Sequence, residues 1–162
     1  FSVRAAGLAH RGHVYAYEPS SNNFDMLTAN RLLNNLDNLY IEKSAVSGRQ
    51  GQMTLYTPAG NPIMGSLLQS ASAHTESVNV TTMTDIVAQR RIARIDLLKM
   101  DVEGAEYDIL FNCPDETLAK IQRVVMEYHE YEGEKRNRFD LTRLLEAHGF
   151  QVVVETGAFP QP

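Results

Sequence analysis

Ile95-Asp96-Leu97-Leu98-Lys99-Met100-Asp101-Val102-Glu103-Gly104-Ala105-Glu106 runs from the most apolar strand pattern in the chain into a cluster of carboxylates. Lys99 sits within that apolar run, where an unpaired ammonium is costly to bury. Side chains alternate along a strand, so an extended backbone puts Lys99, Asp101 and Glu103 on one face. A cation is then compensated by acids two and four residues on. Gly104 permits a tight exit into a helix, and Glu106 falls in its first turn, where the helix dipole favours negative charge. A buried ion pair closing a strand–helix junction would use the same residues. A catalytic or cofactor-facing role is favoured because α/β sheets bind ligands at the carboxyl ends of their strands.

Working outward, residues 2–11 read as a helix with Gly12 at its C-terminal cap. Val14-Tyr15-Ala16-Tyr17 reads as a buried strand closed by Glu18-Pro19. Ser20 or Ser21 caps a helix in which Met26, Ala29, Leu33 and Leu36 recur at helical spacing. A strand is expected over 39–46, ending in Ser44 and Ala45, and another over 53–56 after a turn at Gly48 to Gly51. Residues 58–77 read as a long surface loop, 78–82 as a strand, and Thr84-Asp85 as the start of a helix. Beyond 95–101, helices are expected at 105–111, 116–121 and 138–148, the last closed by Gly149. Strands are expected at 124–129 and 151–155. Strands alternating with helices predict a parallel sheet covered on both faces, in one domain spanning residues 1–162.

Composition narrows the function classes. The 162 residues are 43% hydrophobic and 22% charged, as in ordinary globular domains. Twenty acids against fifteen bases give a net charge of −5, and basic runs stop at pairs such as Arg90-Arg91. A nucleic-acid partner is therefore not expected. No apolar run approaches the ~20 residues of a membrane span, so no membrane partner is expected either. Cys113 is the sole cysteine; it reads as a packing residue at a helix end. With no signal peptide in view, a cytoplasmic location is expected.

The polar residues closing the strands carry the chemistry. Glu18 stands where nucleotide-binding units place an acid against ribose hydroxyls, ~20 residues after a glycine-rich loop. Counting back puts that loop at or before residue 1, so the domain is expected to be N-terminally incomplete. Glu127 and His129 close the next strand after 95–101. Consecutive strands are usually neighbours, which brings His129 toward Asp101 and Glu103. A neutral imidazole there can take a proton from a substrate hydroxyl. The alternative is a strand-end histidine with ordinary hydrogen bonds. His10, His13, His74 and His148 read as surface residues.

In this order the residues resemble the FkbM family of class I methyltransferases. The resemblance runs through Val14-Tyr15-Ala16-Tyr17-Glu18-Pro19 with Asn23-Phe24, Ala45-Val46-Ser47 with Gly51 and Thr54-Leu55, and Gly65-Ser66-Leu67. It continues through residues 95–106, Met126-Glu127-Tyr128-His129, and Leu144-Leu145 with Gly149-Phe150. It implies a Rossmann-like class I methyltransferase fold, lacking here the N-terminal strand and glycine-rich loop. It also implies binding of S-adenosylmethionine (S-adenosyl-L-methionine) and methyl transfer, usually to a hydroxyl of a small metabolite or sugar. By position, Glu18 would hold the ribose, Ser44 and Ala45 would border the adenine, and Asp101 would lie near the methionine moiety or the reacting centre. The family often carries Asn where this chain has Ser20.

The mechanism expected from these residues has His129 as base, supported by Glu127, with Asp101 and Glu103 framing the reacting groups. Asp101, Glu103 and Glu127 could together offer oxygen ligands to magnesium, but the resemblance calls for no metal and none is expected. Two further readings stay open: a non-catalytic or regulatory domain without a complete cofactor site, and a nicotinamide-dependent oxidoreductase using the acid at Glu18.

Overall fold

The computed structural model describes residues 1–58, 73–129 and 137–155. Helix α1 (Ser2–Leu8) leads to strand β1 (Val14–Tyr17), helix α2 (Ser21–Leu33) and strands β2 (Leu39–Glu42) and β3 (Ala45–Val46). Strands β4 (Gly51–Pro58) and β5 (Ala73–Thr81) follow, then α3 (Met83–Gln89), β6 (Leu98–Met100), α4 (Glu106–Phe111), α5 (Asp115–Leu118), β7 (Val124–Met126) and α6 (Arg138–Ala147). The α/β class expected from the sequence is present. Hydrogen-bonded pairing among the described residues is divided between three small sheets: β1–β2 parallel, β3–β5–β4 mixed, and β6–β7 parallel.

Several elements differ from expectation for identifiable reasons. The strand expected over 39–46 is two strands: β2 pairs with β1, the chain breaks at Lys43-Ser44, and β3 pairs with β5. The loop expected over 58–77 closes at Ala73, because Ala73–Ser77 continues β5 antiparallel to β4; residues 59–72 lie outside the described set. Helix α1 ends at Leu8 rather than near Gly12. Asn38 Nδ2 reaches back to the carbonyls of Ala6, Ala9 and Gly12 at 3.0, 2.9 and 3.3 Å, satisfying that end from a distance. Residues 151–155 form no strand.

Three helix ends show why the chain turns where it does. Thr82, not Thr84, caps α3, its hydroxyl accepting the Asp85 N–H at 3.1 Å. Asn137 caps α6 by accepting from Phe139 and Asp140. At the other end of α6, Gly149 takes φ +84°. Its N–H bonds Glu146 O and that of Phe150 bonds Leu145 O, the paired closure of a Schellman motif.

Helix α2 buries none of its residues, and Leu33 is 79% exposed. Leu27 and Leu36, rather than Met26 and Leu33, pack against the small core of Ala6, Ala16 and Leu39. The main core gathers Met83, Ile86, Met100, Tyr107, Leu110 and Leu118 from α3, β6, α4 and α5. Tyr17, at the end of β1, packs against the same core.

Cys113 belongs to that core, as expected of a helix-end packing residue. Burial pushes its thiol up to about 11. Its thiolate fraction near pH 8 is then lower by roughly a hundredfold, and alkylation needs the thiolate. Iodoacetamide is therefore expected to label the native chain at least about tenfold more slowly than the urea-unfolded chain; mass spectrometry of timed quenches checks this, and equal rates would contradict the burial.

Candidate active site

Strands β6 and β7 lie in register, Leu98 opposite Val124, Lys99 opposite Val125 and Met100 opposite Met126. One further bond, from the Glu127 N–H to Met100 O at 3.2 Å, extends the pair. Their exits therefore emerge side by side, which sets the Asp101–Glu103 segment next to His129.

The extended conformation does not persist past Met100. Glu103 takes φ +49° and Gly104 φ +100°, so the backbone reverses into α4. A glutamate in the left-handed region carries strain of order 1 kcal/mol. Lys99, Asp101 and Glu103 consequently do not form one face. Lys99 Nζ pairs with Asp101 at 2.7 Å, and Asp101 remains 53% exposed. Glu103 is carried across to His129 instead, its Oε2 3.4 Å from Nε2. The other ring nitrogen, Nδ1, lies 3.0 Å from Glu106 Oε1. Glu106 is completely buried, and its Oε1 also accepts the Gly104 N–H at 3.1 Å. Glu127 is exposed and its carboxylate pairs with no described residue, so it is not the partner of His129.

The unforeseen member is Glu106. The sequence placed it in the first turn of a helix, where a carboxylate normally faces water. Its burial was legible only in Tyr107, Ile109 and Leu110, which draw that turn of α4 into the main core.

A second polar edge forms where β1 and β2 end. The Glu18 carboxylate is half-buried; Oε1 accepts the Ser20 N–H at 2.9 Å, and Asn23 donates a side-chain bond. Burial raises the Glu18 carboxyl above its ordinary value, with the Ser20 and Asn23 bonds opposing. Ser44, at the break between β2 and β3, is buried, and its hydroxyl finds no partner among the described residues. Ala45 is buried in the β3–β5–β4 sheet with Leu55, Val78 and Val80.

Glu76 of β5 was also missed by sequence reading. It accepts the Ser21 N–H at 3.2 Å and the Ser21 hydroxyl, and pairs with Lys43 at 3.2 Å. Those Ser21 bonds, with Lys43, hold its carboxyl below the ordinary value. The start of α2 is thus capped by a carboxylate 55 residues away, not by Ser20, whose side chain makes no capping bond.

Among the described residues, no three of His, Cys, Asp and Glu are grouped to hold a metal ion. Nor is any helix there long and apolar enough to cross a membrane.

Two strand-end edges, one around Glu18 and Ser44 and one around Glu103 and His129, are set on elements that match the methyltransferase FkbM domain model over residues 2–152. The chain belongs to the FkbM methyltransferase family. An FkbM domain of this kind is similar to 31-O-demethyl-FK506 methyltransferase FkbM of Streptomyces tacrolimicus, at 30% identity over 93% of this chain and 68% of that protein. It is similar as well to Methyltransferase 1 of Beauveria bassiana, 28% identical over 92% of this chain and 67% of that protein. AMB antimetabolite synthetase AmbE of Pseudomonas aeruginosa is 34% identical over 68% of this chain. The FkbM domain spans about two thirds of the first two relatives and 5% of AmbE. No solved structure matches the chain. Membership in the family supports methyltransferase activity for this FkbM domain.

Proposed function

We propose that this chain is the core of an S-adenosylmethionine-dependent methyltransferase, built on a Rossmann-like plan, that methylates a hydroxyl of a small molecule. The observation that carries the proposal is His129, set between Glu103 and Glu106 at the paired carboxyl ends of β6 and β7. The relative from Streptomyces tacrolimicus is named for an O-demethylated substrate, which supports oxygen as the acceptor atom.

The residues at the other edge fit the cofactor. Glu18 offers a carboxylate for ribose hydroxyls, and Ser44 offers a buried hydroxyl without a partner among the described residues, suited to a ring nitrogen of adenine. Ala45, buried beside it, lends the apolar wall a purine requires. When bound, S-adenosylmethionine supplies an electrophilic methyl group. The chain's own part is to align the acceptor hydroxyl and remove its proton. An alkyl hydroxyl is a poor nucleophile, so a base at His129 matters more here than it would for an amine. Asp101, exposed at the same strand end, borders the reacting groups.

Calorimetric titration tests the cofactor. S-adenosylmethionine is expected to bind and NAD not to. Replacing Glu18 with alanine should weaken binding by about 10-fold or more, the worth of a charge-assisted hydrogen bond of roughly 1.5–3 kcal/mol. Binding of neither compound would favour a non-catalytic domain, and tight NAD binding would favour an oxidoreductase.

A further inference from the structure

Glu106 is the only charged side chain among the described residues that is fully withdrawn from water. Its Oε1 serves the Gly104 N–H at 3.1 Å and faces His129 Nδ1 at 3.0 Å, while Oε2 is buried with no partner among the described residues. A carboxylate that only opened α4 would stand at the surface, where water and the helix dipole both favour it. Buried with one oxygen unserved among the described residues, it is a costly brace for a helix. The ring contact is what distinguishes its place.

We propose that Glu106 is a positioning residue for His129, an assignment that rests on the reading of His129 as the base. A carboxylate only accepts hydrogen bonds, so Nδ1 is the nitrogen that carries hydrogen. That bond fixes the ring plane and leaves the lone pair on Nε2. Glu103 Oε2 stands 3.4 Å from Nε2, beyond ordinary hydrogen-bond length. Nε2 is therefore the nitrogen left to receive a proton from a substrate hydroxyl. With a methyl donor bound, a substrate hydroxyl would give its proton to Nε2 as its oxygen took the methyl group, the donor's sulfur keeping the electron pair of the broken carbon–sulfur bond. The imidazolium so formed donates from both nitrogens, with Glu106 already in place at one of them.

Long-range proton–nitrogen spectra of the chain labelled with 15N-histidine, recorded where the rings are neutral, read the tautomer directly. The His129 signals are assigned by their loss in His129→Asn. In the unsubstituted chain His129 is expected in the Nδ1–H form; in Glu106→Ala it should revert to the Nε2–H form that free histidine prefers, and Glu106→Gln, which keeps an acceptor oxygen, should restore Nδ1–H. An Nε2–H ring in the unsubstituted chain overturns the assignment even if neither Glu106 variant folds. A second arm compares turnover. Glu106→Ala should cost at least about tenfold alone, as orienting carboxylates do, and nothing further when His129 is already alanine. An equal loss in both backgrounds overturns the proposal and leaves the base reading intact, whereas full activity of His129→Ala removes the base reading while the tautomer still reports on Glu106.

Discussion

Turnover of the His129→Ala variant is expected to fall by about 10²–10⁴-fold, the usual contribution of a positioned general base, with S-adenosylmethionine affinity nearly unchanged. The loss corresponds to roughly 3–5 kcal/mol of transition-state stabilisation. It should appear in kcat rather than in cofactor binding, because Glu18 and Ser44, the residues proposed to hold the cofactor, lie at a different strand edge from His129. One complication follows from the geometry. Alanine leaves the buried Glu106 without its ring partner, and an unpaired buried group costs about 1–3 kcal/mol or more. His129→Asn answers this, since its amide N–H can donate to Glu106 near the place of Nδ1 but offers no basic nitrogen. Both variants should lose turnover, and His129→Asn should melt closer to the unsubstituted chain. A radiolabelled methyl donor with a panel of hydroxylated small molecules supplies the assay. Unchanged turnover in both variants removes His129 from the mechanism.

What the sequence disclosed about this site was what local pattern can disclose. Val14–Tyr17 is a strand because four apolar residues precede a Glu-Pro breaker, and Gly149 ends α6 because only a residue tolerant of positive φ closes that motif. Adjacency of β6 and β7 followed from their order in the chain, and with it the meeting of Glu103 and His129. The errors have a common cause. Alternation assumed an extended backbone through Glu103, yet glutamate carries no sign that it will take φ +49°, and only the neighbouring Gly104 hinted at a reversal. Asp101 and Glu103 were therefore placed together when they part. Other misses involve partners far apart in sequence. Glu76 caps α2 across 55 residues, and the switch from β2 to β3 depends on where β5 lies. Glu106 read only as a helix-opening acid because the core that buries it is assembled from α3, β6, α5 and α6 as well as its own helix.

The same long-range dependence makes Gly48 a position where one methyl group should do great harm to stability. Its backbone needs no left-handed conformation, so glycine is required there for space alone. A Cβ would stand 2.5 Å from Asp108 O and 2.6 Å from Asn112 Nδ2, and the first of these is helix backbone that cannot swing aside. The loop would have to retreat from α4. That retreat strains the bond from the Gly48 N–H to Asp108 Oδ2 at 2.8 Å and the bond from the Ser47 hydroxyl to the same oxygen. Overpacking costs typically 1–3 kcal/mol and a weakened bond to a charged group about 1.5–3. Gly48→Ala should therefore destabilise by roughly 2–5 kcal/mol, lowering the melting temperature by about 5–15 °C in a domain of this size. Calorimetric melting reads the shift directly. Because α4 begins at Glu106, the displacement should also reach the His129 ring, and shortening the blocking side chain in Gly48→Ala/Asn112→Ala should recover only part of the loss, since Asp108 O remains in the way. A melting temperature within about a degree of the unsubstituted chain would mean that the loop and α4 are not packed as described, and with them the placement of Glu106.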